Sequence, residues 1–340
     1  MKKYGKLLLG MAGLVGTGVG GWYLATRAKT MAKTMVKKVV TRKETFSIAI
    51  YSGDSPLNLA PTPSTRRCGP ALRAHHITDM WADFVADPFM VRVVVGDSPR
   101  WYMFFEIWNE RTRCASIGLA TSENGDEWQY AGVVLREPFH LSYPQVFPWE
   151  GQWYMVPESA EAGAVRLYRA DDFPRGWSLV GTLLNGSDFL DPTLFIHDHR
   201  WWMLVTRDSH PDNLYLFSAD TLRGPWVEHP QSPVVRGNMH YARPAGRVVW
   251  LEGRPVRFAQ DCASHYGLQV YALEITRLDP THYEERLLRD GPILQGSGYG
   301  WNARGMHHID ALQREDGQWI ACVDGWRKYP YVLDRNITRR

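Results

Sequence analysis

Acidic residues are missing from the first 43 positions, which carry ten Lys and Arg. Cysteine is scarce. The four in 340 residues, at 68, 114, 262 and 322, are widely spaced and form no Cys-x-x-Cys. That excludes a disulfide-dense scaffold and an obvious zinc pattern, and leaves the redox compartment open. No P-loop, His-Glu-x-x-His or Gly-x-Ser-x-Gly string occurs, so the phosphate-cradling, zinc-protease and hydrolase-elbow chemistries lack their residues. The net charge of +3 masks an asymmetry, because the remainder of the chain holds 29 basic against 36 acidic residues. A body with that balance has no basic footprint for nucleic acid, which is excluded as a partner. With 44% hydrophobic and 22% charged residues, the chain is globular rather than disordered or collagen-like. What it has in quantity is aromatics: 15 Trp, 16 Tyr and 12 Phe, material for a core and for stacking surfaces.

Residues 7–25, LLLGMAGLVGTGVGGWYLA, run without charge. As a helix they span roughly 28 Å, about one hydrocarbon core, and Trp22 and Tyr23 fall at an interface. The expectation is a single N-terminal membrane pass. The alternative is a cleaved secretory signal, with Lys2, Lys3 and Lys6 as its basic start. Seven basic residues follow the run. They favour a cytoplasmic body by the positive-inside rule, though the side of the membrane stays open. Met31, Met35, Val36, Val39 and Val40 recur at near-helical spacing among these charges. Two readings stand: a basic helix on anionic lipid, or a solvated linker. The division expected is an anchor and basic flank over 1–43 and a folded body over 44–340.

The body reads as β, and it repeats. Each unit opens with a residue before Pro and a short apolar strand, then a polar turn, an aromatic-rich strand and a third strand ending near a Trp. The openings are Asp87-Pro88, Tyr143-Pro144, Asp191-Pro192 and Arg243-Pro244. The prolines lie 56, 48 and 52 residues apart. The second strands include WYMFFE (101–106), QWYMVPE (152–158) and RWWMLVTRD (200–208). A unit of about fifty residues is the size of a propeller blade. A fifth unit, from Gly305 to Trp326, runs out of chain before its outer strands. The alternating run TFSIAIYS (45–52) supplies the missing strand and closes the ring, removing open edges. The expected fold is all-β: a five-bladed β-propeller preceded by a hydrophobic helix. A β-sandwich or a two-domain β protein is the alternative.

In such a ring, the unit openings and the ends of the second strands surround one central mouth. From the openings it collects Asp87, Tyr143, Asp191, Arg243, His307 and His308. From the strand ends it collects Glu106, Glu158, Asp208, Gln260, Asp261 and Asp324. His140 is a further candidate. If extended, His307 and His308 point to opposite faces, so one of the two reaches the mouth. Carboxylates, imidazoles and aromatics in a funnel suit a carbohydrate, and paired carboxyls can cleave or form a glycosidic bond. The plainer alternatives are turn-forming Asp residues, rim carboxylates and hydrogen-bonded core His.

The strings ADPFMVR, FHLSYPQVF, WYMVPESAEAGAVRLYRADDFP, GSGYGWNARGMHHID and DGQWIACVDGW resemble the N-terminal domain of plant glucosamine inositolphosphorylceramide transferases and its stand-alone bacterial relatives. The likeness covers roughly residues 45–326. It implies a five-bladed propeller similar, more distantly, to family 43 arabinanase and xylosidase glycosidases. In those enzymes an Asp opening blade one is the general base, matching Asp87. An Asp opening blade three orients the site and tunes its pKa values, matching Asp191. A His in blade five often supports a central ion or water, matching His307 or His308. The resemblance thus allows a central Ca²⁺ or other ion. Their general acid is a Glu opening blade four. Here that place reads Ala242-Arg243-Pro244, and Glu158 is the first replacement to consider.

The expected function is glycoside hydrolysis or transglycosylation on a glycan or glycolipid, with Asp87 as base, Glu158 as acid and Asp191 as orienter. Glu106, His140, Tyr143, Arg243, Asp261, His307, His308 and Asp324 contact substrate. One alternative is a phosphorylase or transferase acting on a glycosyl phosphate. Another is a non-catalytic glycan-binding module serving a partner glycosyltransferase.

Overall fold

The computed structural model describes residues 38–95 and 98–334. The hydrophobic run at 7–25 and the basic flank up to position 37 lie outside the described residues. Among the described residues no helix is long and apolar enough to cross a membrane. Among the described residues, Glu44–Tyr329 forms one compact unit.

Strand β1 (Lys38–Ser55) comes first, so Val39 and Val40 are in strand rather than in the helix their spacing allowed. Then come β2 (Asn58–Pro61) and a six-residue helix α1 (Pro63–Cys68). Thr62 caps α1 by accepting Thr65 N–H at 3.3 Å, and Pro63 begins it, a position where a missing N–H costs nothing. Blade one is β3 (Phe84–Val95), β4 (Ser98–Asn109), β5 (Cys114–Ser122) and β6 (Gln129–Leu135). Blade two is β7 (Ser142–Trp149), β8 (Gln152–Glu158), β9 (Ala164–Asp172) and β10 (Arg175–Asn185). Blade three is β11 (Phe189–His197), β12 (Arg200–Arg207), β13 (His210–Ala219) and β14 (Val227–Glu228). Blade four is β15 (Val249–Leu251), β16 (Arg254–Asp261), β17 (Gln269–Leu278) and β18 (Tyr283–Leu287), with β19 (Leu294–Gln295) also on β17. Blade five takes β20 (Ile309–Gln313) and β21 (Trp319–Asp334) from the end of the chain. It takes β1 and β2 from the beginning, in the order β20-β21-β1-β2. This is a five-bladed propeller, closed by the strand that the alternating run at 45–52 foretells.

The core lies between blades, not within them. Five apolar clusters separate the five pairs of neighbours. Strand alternation explains this directly. On β4, Met103, Phe105 and Ile107 pack with Ile48, Ile50 and Ile320 of blade five, while Tyr102 and Phe104 pack with Val146 and Met155 of blade two. On β12, Met203 and Val205 face blade two and Trp202 and Leu204 face blade four. The middle strands are therefore apolar on both faces, which is why their sequences read as aromatic-rich runs. The Trp residues after the third strands tie down their own turns. Trp128, Trp177 and Trp226 donate Nε1–H to Gly125, Pro174 and Leu222 carbonyls at 3.0, 3.1 and 3.1 Å.

The axis is plugged below the mouth. Arg247 donates to Asp310 at 2.8 Å and to the Met90 and Val146 carbonyls at 3.3 and 3.2 Å. Gln145 exchanges two 2.7 Å hydrogen bonds with the backbone of Leu194. Gly246, at φ 130°, has its Cα so close to the Ile309 carbonyl that no Cβ fits.

Candidate functional site

The openings of blades one, two and three share one backbone device. Pairing between first and second strands skips two residues at Ala86/Phe89, Ser142/Gln145 and Leu190/Thr193. In each bulge the residue before Pro takes a left-handed conformation: φ is 50° at Asp87, 46° at Tyr143 and 50° at Asp191. Positive φ is uncommon outside glycine, and a bulge re-aims its side chain. Both Asp carboxyls thereby leave the strand's alternation and enter the mouth. The register also fixes the equivalent second-strand residues: Glu106 opposite Ala86, Glu158 opposite Ser142 and Thr206 opposite Leu190. Thr206, not Asp208, is thus the blade-three member. Asp208 lies two residues further on, in the exposed turn after β12.

Asp324 organises one side of the site. Its Oδ1 accepts His307 Nδ1–H at 2.7 Å and the backbone N–H groups of His307 and His308 at 3.3 and 3.1 Å. Its Oδ2 accepts Asp87 N–H at 3.0 Å. Burial alone would raise the Asp324 pKa, but the charge and hydrogen bond of His307 outweigh it and hold the carboxyl below its ordinary value. Reciprocally, burial lowers His307 and the charge of Asp324 more than reverses that. The His307 ring stacks on Phe46 at 4.8 Å and meets the edge of Tyr266 at 5.0 Å. Its Nε2 faces Asp87 Oδ1 at 3.8 Å.

His308 also reaches Asp87, its Nδ1 3.8 Å from Oδ1. Its Nε2 lies 3.0 Å from the Pro88 carbonyl. That acceptor requires the proton on Nε2, so Nδ1 presents a lone pair, and Nδ1 is buried without a hydrogen-bond partner. Burial pushes His308 down to about 4. Both His therefore converge on one carboxylate, against the expectation that only one would. The reason is local: residues 306–308 precede β20 and are not in strand, so strict alternation does not apply. Asp87 itself is pushed up to about 7, first by burial, which His307 opposes and the carboxylates of Asp324 and Asp191 reinforce.

The other side is built on Asp191 and Glu158. Asp191 Oδ2 accepts Arg243 Nε–H at 2.6 Å and Gln260 Nε2–H at 2.9 Å. Glu158 Oε2 accepts Asp191 N–H at 3.1 Å and lies 3.8 Å from Arg243. Burial and the Asp191 charge push Glu158 well above its ordinary value despite Arg243. Glu106 is raised well above its ordinary value too, by burial first and then by Asp87, Glu158, Asp324 and Asp191. Its neighbour is His140, Nε2 to Oε1 at 3.8 Å, which burial holds below its ordinary value.

Two expected site residues sit elsewhere. Tyr143 is fully buried beneath the mouth; its hydroxyl pairs with Thr193 at 2.8 Å and accepts Gly246 N–H at 2.6 Å. Its bulge carries an aromatic into the floor, where it helps seat His308. Asp261 is taken up by His240, Gln269 and Ala263 N–H at 3.0, 2.9 and 2.9 Å. Alternation on β16 sends Gln260 inward instead. Sequence reasoning missed Tyr266. It is 44% exposed, and the Arg243 guanidinium lies 5.2 Å from its ring. It lies in a loop between β16 and β17, where no periodicity points inward.

Asp87, His307 and Asp324 offer ligand atoms within 4.8 Å of one another, so they could hold a cation. The donors are one imidazole and two carboxylates. Ca²⁺ prefers oxygen alone, so the set fits a borderline transition metal better.

Residues 41–326 match the family described as glucosamine inositolphosphorylceramide transferase 1, N-terminal. The chain is 35% identical over 315 residues to glucosamine inositolphosphorylceramide transferase 1 of Oryza sativa subsp. japonica, covering 87% of this chain and 41% of that protein. It is 32% identical over 306 residues to the Arabidopsis thaliana protein of the same name, covering 83% and 39%. It thus spans about two fifths of the length of these relatives. Among solved structures, the exo-beta-1,3-galactanase of Phanerochaete chrysosporium aligns with a TM-score of 0.54 at 13% identity, covering 83% of this chain and 73% of that one. The GH62 alpha-L-arabinofuranosidase catalytic domain of Coprinopsis cinerea gives 0.52 at 16%, covering 86% and 93%. Those likenesses establish the shared propeller. The matched span and the identity over it place the chain in the family of the glucosamine inositolphosphorylceramide transferase 1 N-terminal domain.

Proposed function

We propose that this chain is a carbohydrate-active propeller, held at a membrane by residues 7–25, whose mouth cleaves or transfers a glycosidic bond in a glycan or glycolipid. The observation that carries the reading is the set of buried carboxyls brought together from four blades, whose surroundings shift their acidities in different directions. Asp324 is kept ionised and Asp87 is poised near neutrality, while Glu106 and Glu158 are pushed upward. Carboxyls whose environments drive their pKa values apart are the basis of acid and base roles. In this reading Asp87 takes a proton from the attacking hydroxyl and Asp191, fixed by Arg243 and Gln260, orients the site. A second carboxyl of the ring supplies the proton to the leaving oxygen.

The field of the site argues against a phosphorylated donor. Arg243 is already engaged by Asp191 and Glu158, and a phosphate would enter among five carboxyls. The relatives are more than twice as long as the matched segment. That favours a second reading, a glycan-binding module serving a glycosyltransferase. The test is full-length protein incubated with polysaccharides, aryl glycosides and glycolipids, with and without phosphate, products read by mass spectrometry. Phosphate-independent turnover abolished by Asp87→Asn supports hydrolysis or transglycosylation. Absent turnover with ligand-induced thermal stabilisation that survives Asp87→Asn supports the binding module.

A further inference from the structure

The repeat shows what a carboxyl at the end of a second strand ordinarily does here. Asp324 accepts the N–H of Asp87, at the opening of the next blade around the ring. Glu158 accepts the N–H of Asp191, again at the next opening. The same relation would pair Glu106 with Tyr143 N–H. That bond is not made. Among the described residues no donor lies within hydrogen-bond distance of the Glu106 carboxyl, and its one basic neighbour is His140 at 3.8 Å. Glu158, by contrast, is held by a backbone N–H with Arg243 beside it.

We propose that Glu106, rather than Glu158, is the carboxyl that holds the transferable proton and donates it to the leaving glycosidic oxygen. The role rests on the glycoside-cleaving reading above. A carboxyl buried to 6% exposure that receives no hydrogen bond from the described residues is biased toward its protonated form. The four surrounding carboxyls reinforce this, and burial is the largest cause. Glu158 then serves as the anchor of the Asp191 bulge. The step balances. The Glu106 O–H proton passes to the leaving oxygen as the bond from anomeric carbon to that oxygen breaks. A water or acceptor hydroxyl attacks the anomeric carbon and gives its proton to Asp87. The pair, now Glu106 ionised and Asp87 protonated, resets by proton exchange with solvent.

The experiment compares full-length Glu106→Gln and Glu158→Gln on two substrates with the same sugar, an alkyl glycoside and a dinitrophenyl glycoside whose leaving group needs no proton. Glu106→Gln is expected to lose more than a hundredfold on the alkyl glycoside and less than tenfold on the dinitrophenyl one, in line with the usual worth of a positioned acid. Glu158→Gln is expected to slow both alike. The reverse pattern overturns the proposal. Infrared difference spectra of the wild type, titrated across neutral pH, give a readout that needs no turnover. A protonated carboxyl band lost in Glu106→Gln supports Glu106 as the holder of the proton even if no substrate is cleaved, in which case its donation to a glycosidic oxygen fails together with the hydrolytic reading. A band that persists in Glu106→Gln and vanishes in Glu158→Gln overturns it.

Discussion

Asp324 Oδ2 lies 3.0 Å from Asp87 N, across 237 residues of sequence. The contact joins the last blade to the first at the mouth. It also joins the carboxylate that neutralises His307 to the residue best placed as a base. Ring closure and site assembly are therefore one event in this fold. Asp324→Asn keeps the shape but removes the charge that raises His307 and leaves the partner of a buried pair alone. Breaking one partner of a buried pair costs about 3–5 kcal/mol. The expected outcomes are a lower Tm and a His307 pKa that falls in an NMR titration. An unchanged His307 titration would show that Asp324 does not hold its proton.

Closure also depends on β1. Ile48 is fully buried and exchanges backbone hydrogen bonds with Leu72 at 3.0 Å in both directions, while packing against blade one. Ile48→Ala should cost about 2–5 kcal/mol in denaturant unfolding. A cost below about 1 kcal/mol would mean that blades one to four hold together without the closing strand.

Much of this architecture is legible in the residues. The first three Pro openings recur because each marks the same bulge, and the aromatic runs recur because each middle strand is buried on both faces. The finer geometry was hidden for identifiable reasons. Thr206 stands five residues after Trp201, as Glu106 and Glu158 stand five after Trp101 and Trp153, but it carries no carboxyl, so a search for acidic residues settles on Asp208 two places further on. His307 and His308 both reach Asp87 because the chain there has not yet entered β20. Tyr143 shares its motif with Asp87 and Asp191, yet its bulky ring seats in the floor rather than the funnel. The bond from Asp324 to blade one depends on closure around the ring, and that from Glu158 to blade three on the packing of neighbouring blades; no local pattern encodes either.

Tyr266 gives the mouth an accessible aromatic face. Its ring braces His307 and lies beside the Arg243 guanidinium, so it is fixed without being buried. Tyr266→Ala should leave the fold intact and weaken glycan binding by roughly tenfold, the equivalent of about 1.4 kcal/mol. Calorimetry with the best ligand from the substrate panel measures this. Unchanged affinity would mean that the sugar does not stack on Tyr266.

The Asp87 carboxyl makes stability depend on pH with a definite sign. Its value is about 7 in the folded protein against an ordinary 3.8. A raised group contributes stability that is fully present below its unfolded value and is lost as pH climbs to its folded value. The wild type should thus lose stability from Asp87 between about pH 4 and pH 7, and no more above that. Asp87→Asn removes this titration while keeping the backbone N–H to Asp324, and Asn tolerates positive φ. The Tm difference between Asp87→Asn and wild type should be smallest near pH 4, grow through this window and level off above pH 7. A difference that stays flat across the range would mean that Asp87 is ionised throughout, with no proton uptake near neutrality. Base activity would then rise through a much lower pH than the neutral limb expected here.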